Sequence, residues 1–249
     1  MRIDTLSTFP DMFGSVMGAS MMRIAREKGI LDFRAHDLRD WTHDRHRTTD
    51  DEPYGGGHGL VMKCEPIFEA MDDLSADGQK PHVVFLAPQG RRFDDAMALE
   101  LAQQERLLFV CGHYEGIDER AYTLADSIVS IGDYVLTSGE LAAMVVIDAV
   151  VRKLPGVLGA ELGAVDESFN GGLLEYPQYT RPAEYRGMEV PAVLRSGDHG
   201  AVDAWRRQQS LERTFRLRPD LLEGADLDAR DAAFLKTLQS DAPGADAAV

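Results

Sequence analysis

At 249 residues, 44% of them hydrophobic, the chain holds ample core material for one large domain or two modest ones. No run of eighteen apolar residues exists, which excludes a membrane-spanning helix, and Cys64 and Cys111 are too few for a disulfide framework. A net charge of −16 argues against a nucleic-acid partner, which calls for lysine and arginine, unless basic residues are concentrated locally.

Residues 2–9 alternate apolar and polar side chains and stop at Pro10, as a first strand does. The opening MRIDTLSTF has no charged leader ahead of an apolar stretch, so a reduced cytosol is the expected compartment. Residues 11–25 predict a helix that tolerates Gly14 and Gly18, and 31–35 a second strand. The irregular stretch 37–59 is long for a connection inside a compact domain, which marks it as functional. Trp41, Tyr54 and arginines interleaved with aspartates suit a segment that orders on an anionic, base-containing ligand. His43, His46 and His58 with Cys64 fit no standard zinc spacing. Residues 65–74 predict a helix, 82–87 a strand running into Pro88-Gln89-Gly90-Arg91-Arg92, and 94–104 an amphipathic helix.

The stretch 107–141 is the densest in chemistry. Two apolar runs, 107–110 and 127–131, are each closed by glycines: Gly112 and Gly116, then Gly132 and Gly139. Such runs read as buried strands of an α/β sheet, where ligands sit beyond the carboxyl ends. Tyr114, Glu115, Asp118, Glu119, Asp133 and Tyr134 lie among these glycines, so the two turns point to a small-molecule pocket. Thr137 and Glu140 have the spacing of a capping box for a helix over 140–154, where Arg152-Lys153 suit the helix end. After Pro155 the texture changes to glycine and acid, a candidate domain boundary. Helices are predicted over 201–215 and 228–238. The first carries Arg206, Arg207 and Arg213 and runs on to Arg216 and Arg218, a local basic patch with a single acid, Glu212. Neither the dinucleotide G-x-G-x-x-G nor the P-loop pattern occurs.

Several blocks in one order resemble the bacterial tRNA (guanine-37-N1)-methyltransferases of the SPOUT class. They are THDRHRTTDDEPYGGG (42–57), LAPQGRRF (86–93), VCGHYEGIDER (110–120), SIGDYVLTSGEL (130–141), LPGVLG (154–159), LLEYPQYTRP (173–182) and WRRQQSLERT (205–214). The resemblance implies an α/β fold: a trefoil-knotted parallel sheet with flanking helices, plus a small, mainly helical C-terminal domain. It divides the chain into an S-adenosylmethionine-binding domain at 1–159, a flexible linker at 160–175 and a tRNA-binding domain at 176–249. The cofactor residues it implies are Leu86, Pro88, Gln89, Gly90, Gly112, Tyr114, Glu115, Gly116, Ile131, Gly132, Asp133, Tyr134, Val135, Leu136 and Gly139. A homodimer is implied, with the active site at the subunit interface.

The acceptor, guanine N1, must lose a proton before it attacks the methyl group, and charge then builds on O6. The family's arginine for that charge falls on Arg152. Its base is an aspartate directly before Ser-Phe; here Glu167 stands before Ser168-Phe169, with Asp166 as the alternative. Ala142 and Ser138 depart from the family's usual proline and glycine. The resemblance further implies magnesium, tRNA phosphates on the arginines from Arg206 to Arg218, and an anticodon loop seated by His43, Arg45, Arg47 and Asp50. A related 2′-O-ribose methyltransferase would share the cofactor turns without the 173–182 and 205–214 blocks. An RNA-binding protein without catalysis would draw its support from Glu167 alone.

Overall fold

The computed structural model describes residues 1–158 and 167–241 of the chain. The molecule divides into two compact units, Met1–Glu161 and Leu162–Val249. In the first, β1 (Arg2–Ser7) leads through a 3-10 turn at Pro10–Phe13 and two short helices, α1 (Gly14–Met17) and α2 (Ser20–Glu27), to β2 (Asp32–Asp37). The helix predicted over 11–25 is thus broken. Gly18 caps α1 with non-helical angles (φ −95°, ψ 0°) and Ala19 is extended, so the chain leaves the helix and restarts at Ser20.

The long segment after β2 holds a 3-10 turn at Leu38–Trp41 and a two-residue antiparallel pair, β3 (Asp50–Asp51) with β4 (Val61–Met62). Then follow α3 (Cys64–Leu74), β5 (His82–Arg92), α4 (Asp95–Ala102), β6 (Arg106–Cys111), a 3-10 segment at Glu119–Leu124, β7 (Ser127–Ser130) and α5 (Gly139–Arg152). Among the described residues five strands form one sheet in the order β2-β1-β6-β5-β7, and every neighbouring pair is parallel.

Alternation along the strands feeds two cores. Leu107, Phe109 and Cys111 of β6 and Val84 and Leu86 of β5 pack with α2, α4 and α5 on one face. Leu108, Val110, Val83 and Phe85 pack with α3 on the other. All of β6 is buried, which explains why its sequence after Arg106 is an unbroken apolar run.

At the amino ends of the strands lies a buried ionic knot of side chains. Asp4 accepts from Arg106 Nε at 2.9 Å and from an Arg2 guanidinium nitrogen at 3.1 Å, and lies 2.8 Å from His36 Nε2. Arg106 also donates to the carbonyls of Gln79 (2.7 Å) and Leu74 (2.8 Å), tying β6 to the end of α3. Burial pushes the Asp4 carboxyl up, but hydrogen bonds from His36, Arg2 and Arg106 outweigh it and hold it below the ordinary range.

The second unit contains a two-residue hairpin of β8 (Glu184–Tyr185) and β9 (Met188–Glu189), then α6 (His199–Leu217) and α7 (Ala229–Asp241). Asp198 caps α6 by accepting the Ala201 N–H at 3.0 Å. Leu173, Leu211 and Leu235 form its small core, flanked by Phe215, Leu222 and Phe234. Among the described residues no helix is long and apolar enough to cross a membrane.

Candidate active site

Three chain reversals at the carboxyl ends of β5, β6 and β7 enclose a cavity of about 160 Å³. The first is a bulge. Leu86 pairs with Val129, and the register resumes only at Arg91, again opposite Val129, so residues 87–90 are extruded from the ladder. Proline suits that bulge because it has no N–H to offer. Gly90 is required for a different reason: a Cβ there would fall 2.5 Å from the Val129 nitrogen. The strand therefore extends to Arg92, past the predicted end at 87.

The second reversal follows β6. Tyr114 adopts a left-handed φ of 58°, and Gly116 reaches 134°. The early segment closes back on this turn: Leu60 O accepts from Glu115 N (3.0 Å), Gly116 O from Met62 N (2.9 Å) and Met62 O from Asp118 N (2.9 Å). Partial burial raises the Tyr114 phenol, reinforced by the charge of Asp50 and a hydrogen bond to it. The part of the stretch 37–59 that carries Asp50 thus reaches the pocket wall. Below it, Arg120 holds Asp118 down at about 2 through side-chain and backbone hydrogen bonds.

The third reversal joins β7 to α5. Gly132 has a φ of 148°, and the Tyr134 ring lies against it, its hydroxyl donating to Ile131 O at 3.2 Å. Gly139 N donates to Gly112 O at 2.7 Å, which binds the third turn to the second. A Cβ at Gly139 would stand 2.6 Å from Gly112 N, so only glycine permits this approach. The predicted capping box is not formed. Ser138 is the cap residue and makes no side-chain capping bond, while Glu140 turns inward, fully buried, and accepts from Ser7 Oγ at 2.5 Å.

Leu86, Pro88, Gly112, Tyr114, Glu115, Gly116, Ile131, Gly132, Tyr134, Val135, Leu136 and Gly139 all line the cavity. Gln89, Gly90 and Asp133 do not. Gln89 instead lies beside the Tyr122 hydroxyl and opposes the rise that burial imposes on it, Gly90 packs on β7, and Asp133 is exposed. The sequence reading missed His113, Tyr122, Thr137 and Ser138, which also face the cavity. His113 and Ser138 were legible as neighbours of chosen glycines; Tyr122 comes from the Glu119–Leu124 segment and carried no signal. His113 Nδ1 and Ser138 Oγ are buried with no hydrogen-bond partner among the described residues, polar atoms that a ligand can use.

Residues 1–224 match the family model described as tRNA (Guanine-1)-methyltransferase TrmD. The chain belongs to this family. A tRNA (guanine-N(1)-)-methyltransferase of Shouchella clausii is 52% identical over 239 residues, 96% of this chain and 98% of the relative. One from Moorella thermoacetica is 52% identical over 241 residues, 96% of each, and one from Limosilactobacillus fermentum 51% over 245, 97% of each.

For a TrmD-family chain, the predicted catalytic residues lie in separate units. Arg152 is the last residue of α5 in the first, and Glu167 belongs to the second. Asp166 lies outside the described residues. Within the second unit Glu167 opens onto a cavity of about 220 Å³ shared with Tyr176, Arg206 and Ser210. The Arg206 guanidinium stacks 4.9 Å from the Tyr176 ring centroid. The basic patch is largely neutralised within the protein: Arg207 pairs with buried Asp231 (2.6 Å), Arg216 with Glu212 (2.7 Å) and Arg218 with Asp220 (2.6 Å). Cys64 and Cys111 are free and buried, and burial pushes the Cys111 thiol well above its ordinary value. Among the described residues no group of three or more His, Cys, Asp or Glu is arranged to hold a metal ion.

Proposed function

We propose that the protein methylates N1 of guanosine at position 37 of tRNA, using S-adenosylmethionine bound in the cavity between the three turns. The carrying observation is that cavity, in a chain of the TrmD family: three strand ends converge, two turns are tied at Gly112–Gly139, and two polar atoms on its wall have no partner among the described residues. Apolar walls from Leu86, Ile117, Val129 and Ala142 suit an adenine ring, and exposed backbone groups of the turns suit its polar edge. The bound cofactor supplies an activated methyl group on a sulfonium.

The remaining work falls to the protein. Glu115 accepts hydroxyl or cationic donors at the cavity rim, and the turns fix the ligand for in-line attack. Glu167 removes the N1 proton, and Arg152 stabilises the charge that builds on guanine O6. Magnesium is assigned no ligands and no step. The division at 159 and 175 is retained as a proposal, with the first unit holding the cofactor and the second the tRNA. Arg206, whose contact with Asp203 is long at 3.8 Å, and Arg213 are the patch arginines best suited to phosphate, since Arg207, Arg216 and Arg218 are held by closer carboxylates. We further propose a homodimer whose active site draws on both subunits, and a cytoplasmic location. Its support is apolar surface: Leu141 (42% exposed) and Val145 (52%) on α5, with Met12 and Val16 on the turn and helix before α2. Sedimentation at working concentration reads the dimer directly.

The substrate assignment is tested by methyl incorporation into unmodified tRNA, and into the same tRNA with guanosine 37 replaced by adenosine. Incorporation only into the first is expected. Incorporation surviving the replacement overturns the N1-guanine reading in favour of a ribose 2′-oxygen.

A further inference from the structure

We propose that Thr214 is a positioning residue: its buried hydroxyl on α6 fixes the segment that carries Glu167. The inference rests on Glu167 as the base, and its test separates the two claims. Thr214 is fully buried and does not line the cavity onto which Glu167 opens, so any effect it has on chemistry travels through the backbone.

The segment 167–175 is a closed loop. Phe169 (φ 76°), Gly171 (68°) and Gly172 (79°) reverse the chain in the left-handed region. The reversal lets Phe169 N donate to Leu173 O at 2.7 Å and Asn170 N to Glu167 O at 3.2 Å. Ser168 Oγ accepts the Glu175 N–H at 3.0 Å, closing the loop directly beside Glu167. Among the described residues, several contacts dock this loop on its unit. Leu173 is buried with Leu211 and Leu235, and Gly172 lies so near Ala225 that a Cβ would fall 2.8 Å from its Cα. Arg213 reaches Glu175 O at 3.3 Å. Thr214 Oγ1 accepts the Leu174 N–H at 2.9 Å and donates to Ser210 O at 2.7 Å.

The last tether is the most directional. Leucine packing tolerates small slides, and the long arginine contact is weak; the Thr214 hydroxyl is used as acceptor and donor at once, which sets its orientation. Removing it leaves the Leu174 N–H without a partner, so the loop must shift to find one. A base displaced by about 1 Å loses rate by roughly 100-fold while ligand affinity is retained.

The experiment compares Thr214→Val, Thr214→Ser, Ser168→Ala and Glu167→Gln in full-length protein, measuring kcat, KM for tRNA, cofactor affinity and Tm. Thr214→Val should lower kcat by roughly 10- to 100-fold with KM and cofactor affinity little changed, and Thr214→Ser should restore it. Ser168→Ala, which loosens the loop from its outer side, should lower kcat in the same way and serves if the valine variant fails to fold. Wild-type kcat in a folded Thr214→Val, or in Ser168→Ala where the valine variant does not fold, with Glu167→Gln inactive, overturns the clamp alone. Serine failing to rescue at unchanged Tm also overturns it. An active Glu167→Gln overturns the base assignment instead.

Discussion

Glu167→Gln is expected to lower methyl transfer by about 100-fold or more while leaving cofactor affinity unchanged. A positioned general base contributes roughly 100- to 10,000-fold, and glutamine keeps the shape of the side chain while losing its basicity. The cavity between the three turns is lined by residues of the first unit and Glu167 belongs to the second, so the substitution removes none of the lining residues. Asp166→Asn is the matched control and should retain turnover. Single-turnover rates on unmodified tRNA read both variants, and the opposite pattern, with Asp166→Asn inactive and Glu167→Gln active, moves the base by one residue.

Asp4→Ala is expected to destabilise the first unit by about 3 kcal/mol, the lower end for a broken buried pair, because it removes the buried carboxylate on Arg106 Nε and leaves that guanidinium only the exposed Asp77, 3.0 Å from Nη1. Arg106 is only 3% exposed and Asp4 is fully buried, so solvent screens little of the loss. The pH dependence has a definite sign. The folded carboxyl lies below its ordinary value of 3.8, so the Asp4 contribution is fully present above that value and lost as pH falls through the lowered one. Urea unfolding at pH 7 and through the acid range should show the wild type losing its advantage over Asp4→Ala only in acid. A difference that stays constant through the acid range would mean the loss is packing rather than charge.

The sheet was legible because fully buried strands leave an unbroken signature: 107–111 is apolar throughout and is terminated by Gly112. Pocket residues were legible for a related reason, since glycine at a strand end marks either a turn or a close approach. The same signal could not tell those two uses apart. Gly90 and Gly139 are glycine because backbone passes within a Cβ radius, a fact set by the pairing partner and invisible in one segment. The extrusion of 87–90 likewise depends on the register between β5 and β7.

Misreadings of helix boundaries have a common cause. Thr137 and Glu140 have the spacing of a cap, but tertiary structure spends Glu140 on Ser7, some 130 residues earlier in the chain. Gly14 and Gly18 read as interruptions that one helix tolerates, whereas Gly18 caps the first short helix and Ala19 after it is extended. The arginines from Arg206 to Arg218 read as one patch, yet their carboxylate partners lie on either side in sequence and in α7, so only a folded unit reveals which are committed.

The most direct test is a crystal structure with S-adenosylmethionine bound. The donor should occupy the cavity between residues 86–88, 112–116 and 131–139, with His113 Nδ1 or Ser138 Oγ gaining a partner. Density for the donor elsewhere, with these turns untouched, would contradict the account at its root.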